Sequence, residues 1–159
     1  MTDTIFVYGT LMAGFDRRKR AGIDTRMRFV GRGWIAAALY DLGIFPAAVP
    51  APDGRVAGEL YEVVDDPSVL AKLDEIEGYR PNEPETSLYQ RSQTTVTLES
   101  GAEATAWVYF YNAPLGQAQL IESGDYLGHL RGKYRRVAGA PRQPPVPGPG
   151  SRSRAMRSR

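Results

Sequence analysis

Five stretches of β-type sequence, joined by turns and not by helix-length segments, restrict the folds open to this chain. They are "TIFVYG" (residues 4–9), "RFVGRGWIAAALYDL" (28–42), "VAGELYEVV" (56–64), "LYQRSQTTVTLE" (88–99) and "ATAWVYFYN" (104–112). Several are rich in β-branched or aromatic residues and alternate with period two. Turns such as "APDGR" and "ESGAE" stand where a doubly wound sheet would have helices, so an α+β or barrel-like fold is expected. "GRGW" at 31–34 lacks the rest of a nucleotide-binding fingerprint and the helix such a loop should open. It reads as a bulge in a long, bent strand.

One segment argues strongly for a helix: "DDPSVLAKLDEIEG", residues 65–78. Asp66 suits the N-cap, Pro67 the first helical position and Gly78 the turn beyond the last one. At about 100° per residue Val69, Leu70, Leu73 and Ile76 form one apolar face. Glu77 falls on that face, four residues after Leu73 and seven after Leu70. Its charge also opposes the helix macrodipole, at roughly 0.3–1 kcal/mol. Desolvation and the dipole should raise its pKa towards neutrality, which suits a general acid/base. The same spacing admits a slightly rotated helix in which Glu77 meets water or pairs with Arg80 or Arg91. Asp74 and Glu75 are expected to be ordinary solvated charges.

At 159 residues with 42% hydrophobic content, one compact domain over residues 1–140 is expected. No apolar run approaches the roughly 20 residues of a membrane helix, and "MTDTIFVYGT" lacks the features of a signal peptide, so the cytoplasm is the expected location. The chain has no cysteine and a single histidine, His129, which removes a thiolate nucleophile and any multi-histidine metal site. An all-carboxylate site stays open, and His129 is expected to be structural. Nine of the 20 Lys and Arg, and none of the 18 Asp and Glu, lie in residues 131–159. Residues 1–130 therefore carry a net charge of −7, which sits badly with nucleic-acid binding by the folded body. Residues 141–159 carry five of the chain's prolines and no apolar periodicity, and a disordered basic tail is expected there.

The opening strand ends in "YGT". Gly9 leaves room for close approach, and successive backbone N–H groups there can converge on an anion such as a carboxylate, with the Thr10 hydroxyl beside them. A tight turn at a sheet edge uses the same residues. The run Arg17, Arg18, Lys19, Arg20 that follows reads as a solvated loop, or as a cluster favouring an acidic substrate tail.

Taken together, "VYGTL", "GIFPAAV" (43–49), "VAGELYEV" (56–63), "LDEIEGY" (73–79), "YQR" (89–91) and "AWVYFY" (106–111) resemble, in order and spacing, the γ-glutamylcyclotransferase-like superfamily, nearest its AIG2-like and γ-glutamylamine cyclotransferase branch. The resemblance spans about residues 4–130. It implies a small mixed α/β fold around a β-barrel and a cofactor-independent acyltransferase that cyclises a γ-glutamyl group to 5-oxoproline, releasing an amine or amino acid. It places the backbone of Tyr8, Gly9, Thr10 and Leu11 on the γ-glutamyl head group, chiefly its α-carboxylate, and makes Glu77 the general acid/base. Tyr126 resembles a substrate-contacting tyrosine of the family, and Tyr109 and Arg91 lie on strands that would face the cavity. The sequence departs from the amine-specific branch by placing Asp16 and the basic run after "YGTL". The rival reading is a non-catalytic module of the same fold that binds a γ-glutamyl or other carboxylate ligand. Neither reading requires metal, membrane or a nucleic-acid partner.

Overall fold

The protein is described by a computed structural model over residues 3–15, 17–43, 45–63 and 67–139. The expected tail at 141–159, the Asp66 cap and Asp16 lie outside these residues.

The β-type stretches close into a barrel of order β1-β5-β2-β6-β7: β1 (Asp3–Val7), β2 (Met27–Ile35), β5 (Val56–Val63), β6 (Tyr89–Leu98) and β7 (Glu103–Tyr111). The long second stretch is two strands. After Ala36 the chain leaves the barrel and continues as β3 (Ala37–Asp41), which joins β4 (Pro46–Pro50) and β8 (Gln119–Leu120) in a separate sheet of order β4-β3-β8. The barrel closes where β1, antiparallel to β5, meets β7 through the parallel pair Ile5 and Trp107. Every barrel strand contributes buried side chains to the core, Ile5, Phe6, Ile35, Leu60, Val96 and Val108 among them, all nearly inaccessible to water.

The register of β2 on β5 shifts between Phe29 and Gly31, which places the bulge just ahead of "GRGW". Gly33 has a different task. There β2 meets β6 through only two residue pairs, and a Cβ on Gly33 would lie 2.4 Å from the Thr97 carbonyl oxygen. That approach is open to glycine alone.

Helix α2 (Pro67–Glu77) starts at the expected proline and buries Val69 and Leu73 completely, with Leu70 and Ile76 partly covered. Two further α-helical segments were not expected. Arg17–Arg20 forms one turn, α1, with Arg18 buried over the Tyr61 ring and 3.4 Å from Asp24. Tyr126–Gly139 forms α3, tied to β3 by His129 Nε2 and Lys133 Nζ, 2.8 and 3.1 Å from Asp41 Oδ2. His129 has the structural place expected for it. Burial alone would raise the Asp41 pKa, but the hydrogen bonds from His129, the Gly43 N–H and Lys133 hold it below the usual carboxylate value. No helix among the described residues is long and apolar enough to cross a membrane.

Gly33→Ala is expected to lower stability by about 1–3 kcal/mol in urea denaturation, because backbone must shift to admit the methyl group. Gly31→Ala, whose Cβ would make an ordinary 3.5 Å contact with Leu98, should stay within about 0.5 kcal/mol of the parent.

Candidate active site

Strand β1 delivers its carboxyl end to a cavity of about 140 Å³ between the barrel and the end of α2. Tyr8 is buried; its hydroxyl donates to the Tyr109 carbonyl (2.7 Å) and accepts from the Ala48 N–H (3.3 Å). Gly9 follows in a turn closed by Met12 N–H donating to the Gly9 carbonyl at 3.0 Å. A Cβ at Gly9 would stand 2.7 Å from Pro46 Cγ, so the missing side chain lets this turn pack against the start of β4. Glu59 on β5 fixes the next residues by accepting the Ala13 N–H at 2.8 Å. Among the described residues, no acceptor takes the N–H of Gly9, Thr10 or Leu11.

The opposite wall is the end of α2. Gly78 adopts φ 72°, and the N–H groups of Gly78 and Tyr79 donate back to the carbonyls of Glu75 (3.3 Å) and Asp74 (2.9 Å). This paired closure ends the helix abruptly. Glu77 is its last residue, partly exposed into the cavity, and no described residue donates a hydrogen bond to its carboxylate. Burial pushes its pKa up to about 7, against the pull of the Arg17 guanidinium. Burial and the nearby Glu77 charge also raise the hydroxyl pKa values of Tyr8 and Tyr89, so both stay neutral phenols.

Of the residues singled out from sequence, Tyr8, Gly9, Thr10, Leu11, Glu77 and Tyr109 line this one cavity. Arg91 and Tyr126 do not. Arg91 lies with its Nε 3.0 Å from Asp74 Oδ1 and its guanidinium 4.6 Å from the centre of the Trp107 ring. Tyr126 is buried and stacks on Phe15, with ring centroids 6.2 Å apart. Asp74, read as a solvated charge, is buried and also accepts the Tyr109 hydroxyl at 2.6 Å. Burial raises its pKa, while Tyr109 and Arg91 act in the other direction. Glu75 is exposed, as expected, 3.3 Å from Lys72. Glu77 pairs with neither Arg80, which bonds Glu83 and Thr86, nor Arg91.

Sequence reasoning gave no individual site role to Phe45, Pro46, Tyr89 or Arg17, all of which line the cavity. Phe45 and Pro46 lie within the quoted "GIFPAAV", and Tyr89 hydrogen-bonds the Pro46 carbonyl at 2.8 Å. Arg17 leaves the supposed solvated run to donate from Nη1 to Thr10 Oγ1 (2.5 Å) and from Nη2 to the Ile76 carbonyl (3.2 Å).

Residues 5–128 match the family described as gamma-glutamyl cyclotransferase, AIG2-like. The gamma-glutamylcyclotransferase family protein YtfP of Escherichia coli is 36% identical over 126 residues, covering 77% of this chain and 95% of YtfP. The solution structure of E. coli YtfP superposes with a TM-score of 0.55 at 32% identity, over 79% of this chain and 97% of that one. A crystal structure of an AIG2-like protein from Mus musculus gives a TM-score of 0.60 at 30% identity, over 79% of this chain and 88% of that one.

The position of Glu77 has a thermodynamic consequence. Its folded pKa of about 7 lies above its ordinary 4.5, so between these values the native state binds more protons than the unfolded one. The stability Glu77 contributes is present below about pH 4.5 and lost as pH rises through 7, by at most roughly 3 kcal/mol. Glu77→Gln is expected to flatten that part of the stability profile and to leave the protein more stable than the parent at pH 8, measured by urea denaturation across pH 4.5–8.

Proposed function

The chain belongs to the gamma-glutamyl cyclotransferase, AIG2-like family, and from that premise we propose that it converts a γ-glutamyl compound to 5-oxoproline and a free amine or amino acid, with Glu77 as general acid/base. The observation that carries this reading is the half-buried, near-neutral carboxyl of Glu77 lining the same cavity as the Gly9–Leu11 turn, whose N–H groups no described residue accepts.

The reaction needs one proton moved twice. The substrate's α-amine attacks its own γ-carbonyl, forming the ring C–N bond, and Glu77 accepts the proton that the nitrogen loses. As the original amide C–N bond breaks, the same carboxyl returns that proton to the leaving nitrogen. A group with a pKa near 7 serves in both directions at neutral pH. Holding amine and carbonyl together makes the attack intramolecular and oriented. The N–H groups of the turn suit the α-carboxylate. A cavity of about 140 Å³ is small beside the roughly 300–1,000 Å³ of drug-sized pockets, which fits a glutamyl head group with the leaving group outside. A pure binding module of this fold would gain little from Glu77, since a desolvated carboxyl opposes the binding of an anion.

The test is 5-oxoproline release from a panel of γ-glutamyl amino acids, γ-glutamyl-ε-lysine, γ-glutamyl polyamines and glutathione. Glu77→Gln should abolish turnover with the fold intact, and Glu75→Gln should leave it nearly unchanged. Equal behaviour of the two variants would refute the assignment. In the parent protein kcat/KM should climb with pH up to about 7, because only ionised Glu77 accepts the proton.

A further inference from the structure

Arg17 contributes the only basic side chain among the described residues lining the cavity; the acidic ones are Glu75 and Glu77. The other three members of its basic run do not line it. An anionic group entering beside a half-buried carboxyl needs a counter-charge, which backbone N–H groups supply only in part. Arg17 is held in place for this by both walls. Nη1 donates to Thr10 Oγ1 in the turn, Nη2 donates to the Ile76 carbonyl one residue before Glu77, and the guanidinium lies 5.9 Å from the centre of the Phe45 ring. A guanidinium has five N–H donors in a planar fork matched to a carboxylate, so two tethers leave it capacity to accept one. Its tether to Thr10 sets it beside the turn whose N–H groups no described residue accepts.

We infer that Arg17 is a substrate-binding residue whose guanidinium pairs with the α-carboxylate of the γ-glutamyl head group at the Gly9–Leu11 turn. The inference rests on the γ-glutamyl reading for the identity of the ligand, and on the position of the lone cavity cation for the contact. It also gives Thr10 a role, since its hydroxyl orients the guanidinium while its N–H faces the same ligand group.

The test compares calorimetric binding of 5-oxoproline and of 5-oxoprolinamide, which keeps the ring and lacks the charge. The parent protein should prefer the acid by roughly tenfold or more, the scale of one charge-assisted pair. Arg17→Gln should lose most of that preference, keeping only what the turn's N–H groups supply, and Arg17→Lys should keep more of it, with circular dichroism and thermal melting establishing that both variants are folded. An undiminished acid preference in Arg17→Gln, or none in the parent, would overturn the inference. Steady-state assays locate the carboxylate: Arg17→Gln should raise KM about equally for a γ-glutamyl amine and a γ-glutamyl amino acid, and a rise confined to the amino acid would refute the α-carboxylate assignment. Ligand binding needs no turnover. A protein that binds 5-oxoproline through Arg17 yet releases none from any substrate contradicts the reaction alone; one that turns over with its acid preference independent of Arg17 contradicts this inference alone.

Discussion

From Ile5 onward, strand β1 is covered on both edges and both faces. It pairs with β5 along five residues and meets β7 on its other side, and Ile5, Phe6 and Val7 are all buried. A strand enclosed in this way must deliver its carboxyl end to the interior, where the next peptide groups need partners or a ligand. The features of the front wall follow. Tyr8 lies inside and uses its hydroxyl to join β7 to β4. Gly58, opposite on β5, has no room for a Cβ, which would stand 2.3 Å from the Val7 carbonyl oxygen. Gly9 is glycine because Pro46 packs against it.

The back wall depends on how α2 ends. Its apolar stripe pins Leu73 into the core, and the next positions on that stripe, Ile76 and Glu77, arrive at the cavity as the helix runs out. The left-handed Gly78 then turns the chain away, so no further helical turn covers Glu77. Arg17 on the Ile76 carbonyl places a cation at the helix C-terminus, a favourable arrangement that partly offsets the unfavourable one of Glu77 itself. The balance between burial and this guanidinium leaves the carboxyl near neutrality.

What could be read from sequence was what local rules govern. The Pro67 start, the Gly78 stop and the misplaced Glu77 are all statements about one helix, and the strand pattern is a statement about period two. Arg17 was illegible because four consecutive basic residues look alike until tertiary structure separates them. Arg18 packs over the Tyr61 ring, and Arg17 goes to the cavity. Helix α3 was hidden by Gly128 and Gly132 inside it, which lower helix propensity by about 1 kcal/mol each relative to alanine. Its hold comes from Asp41, 88 residues before His129. The break after Ala36 that sends β3 into a second sheet left no turn signal within its apolar run.

Asp74 and Glu77 stand three residues apart on one helix, the first buried and the second half-buried, and their surroundings assign them opposite tasks. Asp74 accepts the Tyr109 hydroxyl and lies against Arg91, so its charge is matched by groups on β6 and β7. Glu77 receives no hydrogen bond from any described residue, and its charge meets only the guanidinium tethered to Thr10. A matched carboxylate fixes structure, and an unmatched one is available to a ligand. Tyr109 connects the two. Its hydroxyl bonds Asp74, its carbonyl accepts from Tyr8, and the residue lines the cavity. Asp74, which seemed an ordinary surface charge, therefore holds one wall of the cavity in which Glu77 works, and reading that from sequence would have required knowing that residues 74, 91 and 109 meet.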